Sequence, residues 1–174
     1  MPTWVPIEGD GSVKTLIVGL APGLKGANRT GVPFTGDSAG DTLFDALKRA
    51  GLAKGKFTVD PTDAMQLLGC AITNAVRCVP PENRPTGAEV TKCTQRYLGR
   101  TMARFNGLER IITLGKIAHE ATVRTLGARV ADHPFAHNAR SAIKGVELIA
   151  SYHCSRYNMN TGRLTEEMLG KVFL

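Results

Sequence analysis

The sequence has few cysteines and no long hydrophobic run. Only 4 of its 174 residues are cysteines, and Cys70, Cys78, Cys93 and Cys154 are widely spaced. In a chain of ordinary size this spacing argues against a disulfide framework and favours reduced thiols or metal ligands. The longest apolar stretches, LIVGLA and LLGCAI, fall far short of the roughly 20 residues that a membrane span requires. Residues 1–14 lack the features of an export or transit signal, so we expect a cytoplasmic protein.

The sequence also lacks internal repeats, low-complexity tracts and a linker between two cores. We therefore expect one globular domain over residues 1–174, with a core that needs neither disulfides nor metals. It contains no Walker loop and no GxGxxG fingerprint. No paired carboxylates stand at metal-binding spacing in its loops, which leaves a phosphate-ester or nucleotide hydrolase as the least supported function.

Acidic residues are fewer than basic residues. The chain has 22 Lys and Arg against 15 Asp and Glu, a net charge of +7, which favours a polyanionic partner. Loops rich in Gly, Pro and Asn carry much of this charge, and cations in loops are more often functional than cations on helix faces. The loop cations are Lys25, Arg29, Arg77, Arg84, Arg156 and Arg163.

Short apolar runs alternate with segments of helical periodicity. The predicted strands are 14–19, 71–76, 110–114 and 146–151, and the predicted helices are 38–50, 86–106, 116–126 and 165–172. Asp37 or Ser38 can cap the first helix, and Thr86 with Glu89 has the spacing of a capping box. This order predicts an α/β fold, a three-layer α/β/α sandwich around a mostly parallel four-stranded sheet. Ligands of such sheets bind beyond the carboxyl ends of the strands, here in loops 20–36, 77–86, 115–116 and 152–163.

Three segments at or near this edge of the predicted sheet carry residues suited to chemistry. Phe34 lies in a Gly-rich polar loop, where it either anchors the loop on the core or stacks on a flat ligand. Asn74 interrupts an apolar strand, and it is either a satisfied structural residue or an amide that pairs with a base edge. His153 directly follows the last predicted strand, at the edge of the sheet where this architecture places ligands.

Together these segments resemble the motifs of the uracil-DNA glycosylase superfamily. GLAPG followed by ANRTGVPFTGD is similar to the type B (family 5) enzymes, and TNAVRCVPPENRP resembles types B and A (family 4). SYHCSRYN looks like the His-Pro-Ser-x-x-Asn motif and is followed by TGRLT, as in type B. The resemblance covers about residues 14–173. It implies a base-flipping enzyme that hydrolyses the bond between uracil and deoxyribose in single- or double-stranded DNA, releases uracil and leaves an abasic site. A DNA substrate in turn implies that the protein acts at the nucleoid.

The resemblance also implies roles for individual residues. His153 would donate to uracil O2, Phe34 would stack on the ring and Asn74 would read its Watson-Crick edge. Asn28 is the first candidate for holding the attacking water and Asp37 the second, although an N-cap role suits Asp37 better. The rest of the substrate pocket would comprise Gly19, Ala21, Pro22 and Gly23. The DNA-binding residues would be Arg29, Ser38, Arg77, Arg84, Ser155, Arg156, Tyr157, Asn158 and Arg163.

The sequence departs from the superfamily at three places. Ala21 stands where branches other than type B carry a polar catalytic residue, and Cys154 replaces the Pro of the third motif. Types A and B hold an iron-sulfur cluster on four cysteines, of which Cys78 and Cys93 match only two. We expect these two to be reduced thiols and the chain to hold no cofactor, either because the cluster is absent or because an upstream segment is missing. A monomer is expected, and a non-catalytic protein that binds damaged or abasic DNA stays open as the alternative.

Overall fold

The central sheet confirms the predicted α/β class and adds one strand. The computed structural model describes residues 9–23, 26–36, 38–56, 65–79 and 85–174. Within these residues the main sheet has five strands, β1 (Thr15–Gly19), β4 (Cys70–Asn74), β5 (Arg110–Leu114), β6 (Arg140–Ile143) and β7 (Val146–Ser151). They lie side by side in the order β4-β1-β5-β7-β6. Neighbours among β4, β1, β5 and β7 pair in parallel. Both ends of each of these four strands lie within two residues of the ends of a predicted strand.

The expectation of four strands was wrong because β6 was missed. This strand forms a hairpin with β7, pairing antiparallel from Arg140 opposite Ile149 to Ile143 opposite Val146. The sequence of β6, RSAI, contains no apolar run, and Ile143 is the one buried residue of this strand. An edge strand with this little burial is not recognisable from hydrophobic periodicity.

Helices cover both faces of the sheet, as predicted for three layers. On β1, Ile17 packs on one face with α2 (Ser38–Arg49) and α7 (Glu166–Val172). Leu16 and Val18 point to the other face, which is covered by α3 (Gly87–Cys93) and α5 (Lys116–Thr125). Every residue of β1 is buried, as expected for a strand between two helical layers.

The helix predicted over 86–106 is not a continuous α-helix. A π-helical turn, Thr94–Leu98, separates α3 from α4 (Gly99–Ala103). The predicted capping box is confirmed: the Glu89 N–H donates to Thr86 Oγ1 over 3.3 Å and the Thr86 N–H donates to Glu89 Oε2 over 2.7 Å. The bonds that the Thr86 N–H and hydroxyl donate to the Glu89 carboxylate lower the pKa of that carboxyl below its ordinary value.

Four short elements were not predicted because each is too short to show a period. They are α1 (Ala27–Thr30), α6 (Arg156–Asn160) and the hairpin strands β2 (Ala53–Gly55) and β3 (Met65–Leu67). Both short helices lie in loops that follow parallel strands. Among the described residues, no helix is long and apolar enough to cross a membrane.

Candidate functional site

The parallel strands bring separate loops to one edge of the sheet. β4, β1, β5 and β7 are neighbours in that order, so the residues that follow them gather at a single carboxyl edge. Gly19 is the last residue of β1 and lies opposite Asn74, the last residue of β4. His153 follows β7 and Gly115 follows β5 at the same edge.

Gly19, Phe34 and Asn74 are in close contact there. A Cβ atom on Gly19 would lie 2.5 Å from Asn74 Oδ1 and 2.6 Å from two ring carbons of Phe34. Asn74 is 5% exposed and Phe34 is 7% exposed. The absence of a side chain at Gly19 therefore lets an amide and an aromatic ring approach each other at the end of two strands.

The loop that carries Phe34 is held in an uncommon conformation. Phe34 has a φ of 58°, in the left-handed region that residues with a bulky side chain rarely adopt. The Thr35 hydroxyl, which is fully buried, bonds the Thr30 hydroxyl and also donates to Val32 O over 2.8 Å. Gly36 has a φ of 79°, and a Cβ there would lie 3.2 Å from Gly26 Cα. These contacts close the loop on itself and turn the Phe34 ring inward.

His153 lies beside the Phe34 ring. The two ring centroids are 6.0 Å apart and the planes are inclined by 27°, within the range of stacked aromatic pairs. A Cβ on Gly115 would lie 3.6 Å from His153 Cβ. The site thus combines a ring for stacking, an amide at its edge and an imidazole, contributed by three segments far apart in the sequence.

The segment after His153 is fastened at several points. Cys154 is buried, and its thiol donates to Ala39 O over 3.4 Å. The Ser155 hydroxyl caps α6 by accepting from the Asn158 N–H. Asn158 Nδ2 donates to His153 O over 2.8 Å, so the Asn158 side chain is bonded to the backbone of His153. Tyr157, by contrast, is 71% exposed.

The predicted DNA-binding cations differ in their surroundings. The side chains of Arg29 and Arg156 are exposed, on α1 and α6. Arg163 is also exposed, with its guanidinium 4.8 Å from the centroid of the Tyr152 ring. Arg77 instead faces the helical layer, where Nη2 donates to Thr101 Oγ1 over 2.6 Å and the guanidinium lies 5.0 Å from the Tyr97 ring centroid.

The remaining predicted site residues lie around the first loop. Asn28 is exposed, and its N–H donates to Gly23 O over 3.1 Å. Ala21 is half-buried against the core and Pro22 is buried. Ser38 begins α2. Lys25, Asp37 and Arg84 lie outside the described residues, so their roles remain predictions.

The four cysteines do not converge. Cys78 and Cys93 line one cavity of about 260 Å³. Cys70 and Cys154 belong to the hydrophobic core on the other face of the sheet, and burial raises the pKa of the Cys70 thiol to about 12. In the part of the chain that the structure describes, no three His, Cys, Asp or Glu side chains form a group that could hold a metal. A cluster on four thiolates of this one chain does not fit this arrangement.

Two residues next to the site were missed by the sequence analysis. The His137 ring stacks on Tyr152 with centroids 5.1 Å apart, and His137 Nδ1 accepts the Tyr152 N–H over 3.2 Å. Tyr152 directly precedes His153. His137 lies in an irregular stretch of sequence with no motif or period around it, so no local signal identifies it.

Comparison with known proteins identifies a superfamily for most of the chain. The family model described as "Uracil DNA glycosylase superfamily" matches residues 6–173. The chain is 42% identical over 177 residues to a type-5 uracil-DNA glycosylase of Thermus thermophilus, covering 99% of this chain and 80% of that relative. A type-5 enzyme of Pyrobaculum aerophilum is 40% identical over 168 residues, covering 97% and 73%. A type-4 uracil-DNA glycosylase of the same organism is 33% identical over 153 residues, covering 86% and 70%.

Proposed function

The chain belongs to the uracil DNA glycosylase superfamily, and from this premise we propose that it excises uracil from DNA by hydrolysing the N-glycosidic bond. The observation that carries the proposal is the juxtaposition of Phe34, Asn74 and His153 at the carboxyl edge of the sheet. The products would be free uracil and an abasic site, the first intermediate of base excision repair.

Phe34 and Asn74 are suited to hold a flipped base. A uracil extruded from the stack would lie on the Phe34 ring, where stacking favours any base without choosing among them. The Asn74 amide both donates and accepts, so it can match the O4 acceptor and the N3–H donor of uracil. Cytosine presents an amino donor in place of O4. Asn74 would therefore supply the preference for uracil.

His153 is suited to stabilise the departing base. Cleavage leaves negative charge on uracil and positive charge on the sugar, so a donor already aimed at uracil O2 lowers the barrier. A neutral imidazole can be that donor. Asn28 remains our first candidate for positioning the attacking water, with Asp37 as the second. These groups are amides, an imidazole and a carboxylate, so we propose that excision needs no added metal.

A non-catalytic binder of damaged DNA is the second candidate. It is favoured by Ala21, whose apolar side chain packs against the core. By resemblance, branches of the superfamily other than type B have a polar catalytic group at this position. Such a protein would keep the stacking ring and the exposed cations but would release no uracil.

A uracil-containing oligonucleotide distinguishes the two. The protein is incubated with it in the presence of EDTA, and abasic sites are cleaved with alkali. We expect excision, and we expect His153→Ala to lower the single-turnover rate by on the order of 100-fold, the typical effect of losing one transition-state donor. His133→Ala, the same change on the connector before β6, is the matched control and should retain the parental rate. An intact oligonucleotide that the protein nevertheless binds would support the non-catalytic alternative.

We further propose that this chain assembles no four-cysteine iron-sulfur cluster of its own. The separation of Cys70 and Cys154 from Cys78 and Cys93 supports this. Iron analysis and the visible spectrum of protein purified without oxygen test it. Cys78→Ser with Cys93→Ser should leave excision largely intact. Stoichiometric iron that disappears in this double variant would show that chains share a cluster or that other ligands complete it.

A further inference from the structure

The two ends of the Tyr152–His153 backbone are bonded by side chains that lie outside the reacting centre. At its amino end, the Tyr152 N–H donates to His137 Nδ1 over 3.2 Å. At its other end, His153 O accepts from Asn158 Nδ2 over 2.8 Å. β7 ends at Ser151, so both residues lie beyond the strand. Side-chain bonds thus hold this dipeptide where strand pairing has stopped.

The bonds of His137 define its protonation. A backbone N–H can only donate and a backbone carbonyl can only accept. Nδ1 accepts from Tyr152, so Nδ1 carries no proton, and Nε2 carries the proton that it donates to Met168 O over 3.3 Å. Both nitrogens are used, and the ring is neutral. Burial also lowers the pKa of His137 below its ordinary value, in keeping with this form.

His137 is itself firmly placed. The next residue, Asn138, donates its N–H to Ala150 O over 2.7 Å, which ties this stretch to β7. The His137 ring stacks on Tyr152 at 5.1 Å, and Met168, which receives its Nε2–H, belongs to α7. The imidazole therefore connects a core helix to the residue before His153.

We propose that His137 is a positioning residue for His153, and that it acts through the hydrogen bond from the Tyr152 N–H to its Nδ1. The inference rests on the proposed function. His153 must place its ring beside Phe34 to donate to a flipped base, and displacements of about 1 Å can cost on the order of 100-fold in rate. Without the acceptor at Nδ1, the Tyr152 N–H loses the bond that holds the amino end of this dipeptide.

Two substitutions separate the roles of the two nitrogens. In His137→Asn the amide oxygen replaces the acceptor Nδ1 and the bond to Met168 is lost. In His137→Gln the longer side chain places its amide near Nε2, so the bond to Met168 can be kept and the acceptor for Tyr152 is lost. We expect His137→Gln to lower the single-turnover excision rate by about 10-fold or more, and His137→Asn to restore most of it. Binding of abasic DNA should change less than about 2-fold in both variants.

Amide exchange and thermal unfolding complete the experiment. The Tyr152 amide proton should be protected from exchange in the parent and in His137→Asn and should exchange fast in His137→Gln. This readout does not depend on activity, so it tests the bond between Tyr152 and His137 even in a protein that excises no uracil. A parent protein that leaves uracil in place would refute the proposed function and not this bond. Equal rates for the two folded variants would overturn the positioning role. Rates that follow thermal stability, regardless of the acceptor at Nδ1, would also overturn it.

Discussion

Gly19 has no space for a methyl group. A Cβ there would lie 2.5 Å from Asn74 Oδ1 and 2.6 Å from the Phe34 ring, so Gly19→Ala must displace one of the two. We expect the uracil excision rate to fall by on the order of 100-fold and stability to fall by about 1–3 kcal/mol, as in overpacked cores. Single-turnover kinetics and chemical denaturation measure the two effects.

Gly170→Ala is the matched control for Gly19→Ala. Gly170 lies in α7, and nothing would come within 4 Å of a Cβ there. Alanine in a helix should increase stability by about 0.5–1 kcal/mol and leave excision unchanged. If Gly19→Ala were as active as Gly170→Ala, the flipped base would not lie against Phe34 and Asn74.

Asn74 should determine which base is removed. An ionised carboxylate accepts hydrogen bonds but cannot donate, so Asn74→Asp loses the donor that faces uracil O4. We expect slower excision of uracil and a higher ratio of cytosine to uracil excision, measured on matched oligonucleotides. Asn138→Asp is the control, because Asn138 is exposed and its φ of 57° is one that Asp also tolerates. Unchanged kinetics on uracil would leave Asn74 with a structural role.

Two threonines, one at the start of α7 and one at the end of α6, use their side-chain hydroxyls in different ways. The Thr165 side chain caps this helix by accepting the Met168 N–H over 3.2 Å. Thr161, also exposed, donates its hydroxyl to Tyr157 O over 2.9 Å at the end of α6. Removing a cap costs about 1 kcal/mol, whereas a bond back to the preceding turn contributes almost nothing.

We therefore expect Thr165→Ala to lower the free energy of unfolding by about 1 kcal/mol and Thr161→Ala to change it little. Denaturant unfolding of both variants measures this. α7 packs in the same core as α2, and the Arg49–Glu166 ion pair of 2.7 Å also joins them. Equal stabilities would mean that this packing, not the cap, holds the start of α7.

The net charge of +7 should make DNA binding strongly dependent on salt. Each phosphate contact contributes a slope of about −0.9 in log K against log salt on duplex DNA. Arg156 is exposed three residues after His153, so Arg156→Ala should reduce the magnitude of the slope by about 0.9. It should also slow excision from duplexes more than from single strands, because only a duplex must be opened to extrude the base.

Arg129→Ala is the control for this charge change. Arg129 follows α5, which runs away from the carboxyl edge of the sheet, and its side chain is 82% exposed with a 4.0 Å ion pair to Asp132. Exposed pairs of this kind contribute little to stability. A slope that changes equally in the two variants would place Arg156 outside the DNA interface.

Much of the fold, and the candidate residues that the structure brings together, could be predicted from local patterns. The buried strands appear in the sequence as apolar runs. Thr86 with Glu89 indicates the start of a helix, because a capping box involves residues only three positions apart. Phe34, Asn74 and His153 could be singled out because each is chemically unusual within its own segment and follows or interrupts a predicted strand. Parallel strands then place such residues at one edge.

Other features depend on contacts between residues that are distant in the chain. Pairing with β7 makes Arg140–Ile143 a strand, and packing of α3 and α4 turns Arg77 toward Thr101. The crowding at Gly19 arises from two segments that approach it from different directions, and the His137 bond to Tyr152 spans 15 positions. Hydrophobic periodicity and capping motifs involve residues only a few positions apart. Contacts between residues that are distant in the chain are therefore decided by how the helices and the sheet pack together.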